Sequence, residues 1–260
     1  MTELAYERAG TGEPLVLIHG IGGRRQSWAP VLPFLVDRFD VITLDLPGFG
    51  ESPLMDDAAD VSPAGLAHAV HDFVTTLGVV RPHAAGNSLG GWITLELARM
   101  GVVRSATGIC PAGLWKQVPK YTMRELRFNR RVNRRLDSRI EQLSRLPGSS
   151  IAAAGVYGKP WKLPKSALIA ESRALGRSSG FDRTLAAFPH ARFHGGQHLD
   201  VPVTIAIGSR DVLLNRGCRE TDQLPLDTEW HNLKGCGHVP MYDDPQAVSS
   251  VIIHGASRGR

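Results

Sequence analysis

Cysteine is scarce: Cys110, Cys218 and Cys236 are the only three in 260 residues, and no two form a Cys-x-x-Cys pair. That excludes a disulfide framework and a cysteine-ligated structural zinc, and it predicts a reducing compartment. Long hydrophobic runs are also missing. No apolar stretch reaches the roughly 18 residues of a membrane span, and Met1 to Gly10 lacks the basic start and apolar core of a signal peptide, so the sequence predicts a cytoplasmic protein. There is no Gly-x-x-x-x-Gly-Lys-Ser/Thr loop and no Gly-x-Gly-x-x-Gly turn after the first apolar run, which argues against nucleotide binding. Aromatic residues are 7% of the chain and do not interleave with basic strands, so no nucleic-acid partner is expected. The remainder is ordinary globular material, 42% hydrophobic and 21% charged, enough to bury a sizeable core.

Short apolar runs recur along the chain: Leu15 to Ile18, Val41 to Leu44, His83 to Gly86, Ser105 to Cys110, Val203 to Ile207 and Thr228 to Leu233. Each is too short for a helix and reads as a strand. Between them lie helical patterns. Leu66, Val70, Phe73 and Leu77 recur at helical spacing behind Ser62 as N-cap and Pro63 at the first helical position. Further helices are predicted from Trp92 to Met100 and from Pro245 to about His254. Strand–helix alternation of this kind predicts an α/β fold, a mostly parallel sheet with helices on both faces. From Pro111 the alternation stops and does not resume until Val203. Residues 111–199 are therefore expected to be a helical insertion in a core made of 1–110 and 200–260. Within it, Thr122-Met123-Arg124-Glu125 has capping-box spacing. Val132, Leu136, Ile140 and Leu143 make an apolar stripe up to Pro147-Gly148, and a weaker helical pattern runs from Lys165 to Gly176.

Gly86-Asn87-Ser88-Leu89-Gly90 fits Gly-x-Ser-x-Gly, with a strand before it and a helix after it. On that sharp turn Ser88 adopts strained backbone angles, and the glycines let strand and helix close around it. Its hydroxyl is then presented at the C-terminal edge of the sheet, beside the helix N-terminus, where the Leu89 amide can donate to an oxyanion. A serine hydroxyl needs a base to take its proton and an acid to orient that base. Gly208-Ser209-Arg210-Asp211 follows one strand and Gly235-Cys236-Gly237-His238 follows the last, which puts Asp211 and His238 on the same sheet edge as Ser88. The chain order Ser88, Asp211, His238 suits this arrangement. No Asp or Glu lies between Ser105 and Lys116 to compete with Asp211. His19-Gly20-Ile21-Gly22-Gly23 ends the first predicted strand, and its turn can aim a second amide, that of Ile21, at the same oxyanion; His19 reads as ordering that turn.

With these motifs in hand the chain resembles the α/β-hydrolase fold family. His-Gly-Ile-Gly-Gly at 19–23, Asp45-Leu46-Pro47-Gly48-Phe49-Gly50-Glu51-Ser52, the Ser88 elbow, the Asp211 loop and Gly237-His238-Val239-Pro240 match it in type and order, over about 1–115 and 200–255. The resemblance implies a mostly parallel eight-stranded sheet with a helical cap after the sixth strand, and a serine hydrolase acting on small or medium carboxylic esters. Ser88 stands where haloalkane dehalogenases and soluble epoxide hydrolases need a carboxylate nucleophile, so neither activity is expected. The elbow also resembles that of carbon–carbon hydrolases acting on ring-fission vinylogous diketones. His-Gly-Ile-Gly-Gly departs from their usual glycine-proline-glycine turn, which makes that activity the alternative. A non-catalytic binding protein on this fold need not keep all three of Ser88, Asp211 and His238.

No cofactor and no metal are expected. His194 and His198 stand four apart, but Gly195-Gly196 between them argues for a loop rather than a zinc-binding helix. Trp92 and Trp115, flanking the elbow helix and the cap entrance, read as core or pocket lining. The formal charge of +5 is uneven: from Lys116 to Arg145 there are 10 basic residues against 3 acidic, a local +7 that leaves −2 for everything else. A solvated helix face accounts for it, as does attraction of an anionic substrate, an acidic partner or, weakly, an anionic surface.

Overall fold

The computed structural model describes residues 3–188, 191–214 and 216–259. Positions 1, 2, 215 and 260 of the expected core, and 189 and 190 of the expected insertion, lie outside the described residues.

The strands are β1 (Tyr6–Ala9), β2 (Glu13–Ile18), β3 (Phe39–Leu44), β4 (His83–Asn87), β5 (Ser105–Ile109), β6 (Val203–Gly208) and β7 (Glu229–Leu233). They form one sheet in the order β1-β3-β2-β4-β5-β6-β7, in which only β1 runs antiparallel, to β3. The count corrects the eight strands expected from the resemblance to seven among the described residues. Ahead of β1 the backbone is engaged otherwise: the Ala5 amide donates to Ser52 Oγ at 2.9 Å and the Ala5 carbonyl accepts from the Asp45 amide at 2.8 Å. β1 was not foreseen from sequence, because all four of its residues are exposed and carry no apolar alternation.

Period-two alternation divides the core between the sheet's faces. Val16 and Ile18 of β2 pack with Ile42, Leu44, Ala84 and Ala106 against α1 (Pro63–Thr76) and α2 (Leu89–Arg99), whereas Leu15 and Leu17 pack with Val41, Ala85 and Ala206 against Trp28 and α7 (Pro245–Ser257). α1 starts as expected, with Ser62 Oγ accepting from the Gly65 amide at 3.2 Å and Pro63 at the first position. Among the described residues no helix is long and apolar enough to cross a membrane.

Between β5 and β6 the described chain holds four α-helices, α3 (Lys120–Leu136), α4 (Ile140–Ser144), α5 (Lys165–Arg177) and α6 (Phe181–Ala187), joined by short 3-10 turns. Two details differ from the sequence reading. α3 begins at Lys120 behind Pro119, so Thr122 is not an N-cap; its hydroxyl instead donates to the Leu213 carbonyl at 2.7 Å. The apolar stripe is not one helix either. It breaks after Leu136 into a 3-10 turn, where Asp137 accepts from Arg177 and Glu141 from Arg173, so the bend keeps both segments against α5.

Candidate active site

The site is built at the C-terminal ends of β2, β4, β6 and β7. β4 is buried along its length and stops at Asn87, and the chain reverses into α2 through Ser88, which sits at φ 56° and ψ −115°. That left-handed angle is costly for a non-glycine residue and is characteristic of functional turns. The elbow closes only because of its glycines: a Cβ on Gly86 would lie 2.1 Å from the Gly90 carbonyl oxygen, and one on Gly90 would lie 2.1 Å from that of Ile18. Ser88 itself is buried, with its amide bonded to the Ile109 carbonyl at 3.0 Å.

β6 and β7 deliver the other two groups. His238 Nδ1 and Asp211 Oδ2 are 2.8 Å apart, and both side chains are buried. The other Asp211 oxygen accepts from the Leu213 and Leu214 amides at 3.0 and 2.9 Å. Burial alone would raise the Asp211 carboxyl, but His238 and the two amides outweigh it and hold it below the usual carboxylate range. An ionised acceptor at Nδ1 fixes the proton on that nitrogen and leaves a lone pair on Nε2. His238 Nε2 is buried and has no hydrogen-bond partner among the described residues.

The turn after β2 lies beside Ser88, so close that a Cβ on Gly20 would be 3.0 Å from the Ser88 Cβ. His19 holds this turn. The Leu46 amide donates to His19 Nε2 at 2.9 Å, so Nδ1 carries the proton and donates to the Gly20 carbonyl at 2.7 Å. Burial lowers the His19 pKa, keeping the ring in the neutral form this pattern requires. The Ile21 and Leu89 amides make no hydrogen bond among the described residues, so both remain available as donors.

Several residues that hold the site were not singled out in the sequence. Asn87 donates through Nδ2 to the Ile109 carbonyl at 3.0 Å and to the His238 carbonyl at 2.9 Å, tying the elbow to the histidine loop across 151 residues. Asp243, fully buried, accepts from the Gly158, Lys159 and Gly237 amides at 2.8, 2.6 and 2.7 Å, which fastens the 156–159 segment to the same loop. On α5, Glu171 accepts from Ser27 Oγ at 2.8 Å and pairs with Arg24 at 3.5 Å, holding the helix over the turn after β2. Burial pushes the Glu171 carboxyl above its usual range despite these partners. The Asp45 motif is structural: Asp45 accepts from the Arg25 and Glu51 amides at 2.6 and 2.9 Å and pairs with the Arg25 guanidinium, and a Cβ on Gly50 would collide with its carboxylate. Trp92 and Trp115 are both buried, edge to face with centroids 5.4 Å apart, and Phe188 completes the cluster.

Asn87→Ala leaves the buried His238 carbonyl without its donor, while the Ile109 carbonyl keeps only the Ser88 amide. The expected cost is about 1–3 kcal/mol of stability and, because His238 shifts relative to Ser88, on the order of a tenfold to hundredfold fall in turnover. Urea unfolding and steady-state kinetics on the same preparation check both.

Among the described residues, two groups of side chains come close enough together to consider a metal. Cys110, Asp211 and His238 present atoms within 4.8 Å of one another. Burial and the Asp211 charge push the Cys110 thiol well up, whereas a metal ligand must be the thiolate, and Nδ1 and Oδ2 already engage each other. Glu229, His231 and His254 form the second group, on β7 and α7, where Glu229 is already paired with His254 and Arg258. His194 and His198 lie exposed in irregular chain, as the glycines between them suggest.

An elbow serine, a histidine paired with a carboxylate and a doubly wound sheet define a class of fold, and comparison with known proteins identifies it. The chain belongs to the alpha/beta hydrolase family, whose sequence pattern matches residues 15–251, and it is a hydrolase. It is similar to a pimeloyl-[acyl-carrier protein] methyl ester esterase of Methylococcus capsulatus, 44% identical over 110 residues that cover 41% of this chain and 40% of that protein. A protein of Escherichia coli named for carbamate hydrolysis, RutD, is 26% identical over 253 residues, covering 93% of this chain and 90% of its own. Among solved structures, the epoxide hydrolase CorEH superposes with a TM-score of 0.79 at 19% identity, covering 100% of this chain and 99% of that one.

Proposed function

We propose that the protein hydrolyses carboxylic esters of small or medium size through an acyl-enzyme on Ser88. Ser88 Oγ attacks the ester carbonyl carbon while its proton passes to His238 Nε2. The oxygen that becomes negative accepts from the Ile21 and Leu89 amides, and Asp211 stabilises the imidazolium. Collapse of the tetrahedral species breaks the carbon–oxygen bond to the alcohol, which leaves with the proton from Nε2. Water, deprotonated in turn by His238, attacks the acyl carbon, releasing the acid and restoring Ser88. The scheme draws on groups of this chain alone.

What supports this reading is a strained elbow serine at the end of β4 together with a histidine after β7 whose Nδ1 is held at 2.8 Å by Asp211 and whose Nε2 has no partner among the described residues. In the same reading, 1–110 and 200–260 form the catalytic core and 111–199 the cap that selects the acyl and alcohol groups, within a cytoplasmic enzyme whose three cysteines are buried. The ester-hydrolysing Methylococcus relative agrees in chemistry. A fluorophosphonate probe followed by mass spectrometry tests the assignment: label on Ser88 is expected, and none on the Ser88→Ala protein. Label elsewhere, or none on the wild type, would remove the nucleophile. A series of nitrophenyl esters run beside a vinylogous diketone separates ester from carbon–carbon hydrolysis, and faster turnover of the diketone would overturn the ester reading.

A further inference from the structure

The basic excess between Lys116 and Arg145 plays no part in the Ser88 scheme, and in the structure it is not spread evenly. Arg130 alone turns inward. Its guanidinium donates to the Leu175, Gly176 and Ser178 carbonyls and stands over the Phe181 ring, so it closes the C-terminal end of α5. Lys120, Arg124, Arg127 and Arg131 recur at intervals of four, three and four residues, which places them in one stripe along α3. That stripe, with Lys116 and Arg192, lines a groove of about 920 Å³ that Met123 and Phe128 also line. Ser88, Asp211, His238 and Ile21 do not line it.

Nor does any carboxylate among the described residues. Lys116, Arg124 and Arg192 have acidic neighbours outside the groove, Glu220 at 3.6 Å, Glu125 at 3.7 Å and Asp222 at 2.6 Å. Lys120, Arg127 and Arg131 have no ion-pair partner among the described residues. Like charges four residues apart weaken a helix, and an ordinary solvated face intersperses acids to relieve them. Here the cations converge on a concave wall, which concentrates their field on whatever enters. From Arg124 to Arg131 the stripe rises roughly 10 Å, more than a single phosphate spans. Guanidinium forks match phosphate oxygens two at a time. Phe128, 56% exposed, offers a flat apolar face next to them.

We propose that this groove binds an organic diphosphate, with the diphosphate held by Arg124, Arg127 and Arg131 on α3 together with Arg192, and the organic body laid on Phe128. The assignment is independent of the Ser88 chemistry. Calorimetric titration of the full chain at low salt with inorganic pyrophosphate and with ADP tests it. Each is expected to bind once per chain, ADP more tightly. The triple variant Arg124→Gln, Arg127→Gln, Arg131→Gln should weaken both by about tenfold or more while thermal unfolding and hydrolysis of a neutral nitrophenyl ester are maintained. Phe128→Ala should bring ADP to the affinity of pyrophosphate. Failure of both probes to bind the wild type, or undiminished binding by the folded triple variant, overturns the site; ADP no tighter than pyrophosphate overturns the role of Phe128. Retention on phosphatidylglycerol vesicles but not on phosphatidylcholine vesicles, without binding of either soluble probe, replaces the groove with a membrane-facing patch.

Discussion

Ser88→Ala is expected to lower kcat for a nitrophenyl ester by roughly a million-fold, with KM changed only a few-fold. An alanine offers no oxygen to form the acyl-enzyme, so the two-step route through a covalent ester is lost entirely. What survives is the donation of the Ile21 and Leu89 amides to the developing oxyanion and the fixed position of the bound ester, together worth about 10³–10⁴ over water. The substitution should barely touch the fold. Ser88 Oγ makes no hydrogen bond among the described residues, and alanine keeps both the Cβ and the φ of 56°. Ser88→Gly separates the strain from the chemistry. Glycine adopts that φ without penalty, so the variant is expected to be as inactive as Ser88→Ala but more stable by on the order of 1 kcal/mol. Steady-state kinetics and urea unfolding of the two variants check this pair of outcomes; activity within a hundredfold of wild type in either would remove Ser88 from the reaction.

The elbow was legible because its requirements are local. Gly86 and Gly90 are demanded by approaches of 2.1 Å to backbone oxygens a few residues away or on the neighbouring strand, and such requirements leave a short motif. The buried strands were legible too, since β2 to β6 are continuous apolar or small-residue runs. β1 was not, because it is an edge strand that lies exposed on both faces. Arg8 there meets Asp40 in an ion pair, and nothing in Tyr-Glu-Arg-Ala announces a strand. The seven-residue α6 was missed for want of two full turns of pattern, although Phe181 and Leu185 are buried. Asn87 shows the deeper limit. Its value lies in reaching the His238 carbonyl, a contact 151 residues away that composition and spacing do not encode. The same holds for Asp243 and Glu171, whose partners Gly158 and Ser27 lie 85 and 144 residues away. The anomaly in charge from Lys116 to Arg145 was visible at once, but only the course of α3 separates Arg130, which closes a helix end, from the arginines that line a groove.

Asp211→Asn is expected to cost about 10⁴-fold in kcat, second only to loss of the nucleophile, although its shape is nearly unchanged. The reason is the direction of one hydrogen bond. Asp211 accepts at both oxygens, from His238 Nδ1 on one side and from the Leu213 and Leu214 amides on the other. An asparagine satisfies the two amides with its carbonyl oxygen and so turns its NH₂ toward His238. Nδ1 must then accept, the ring proton moves to Nε2, and Nε2 no longer has a lone pair with which to take the serine proton. The variant also loses the charge that stabilises the imidazolium. Stability follows a different course with pH. Because the folded carboxyl lies below its usual range, ionised Asp211 stabilises the wild type above the unfolded value of about 3.9, and this contribution is lost as the pH falls through the lower folded value. Asparagine does not titrate, so the stability gap between wild type and variant should be full at neutral pH and shrink below about pH 4. Urea unfolding at a series of pH values, run alongside kcat at neutral pH, checks both halves. A variant that keeps wild-type turnover would mean that another group orients His238, and a gap that persists unchanged into acid would mean that Asp211 is not held ionised by the pairing.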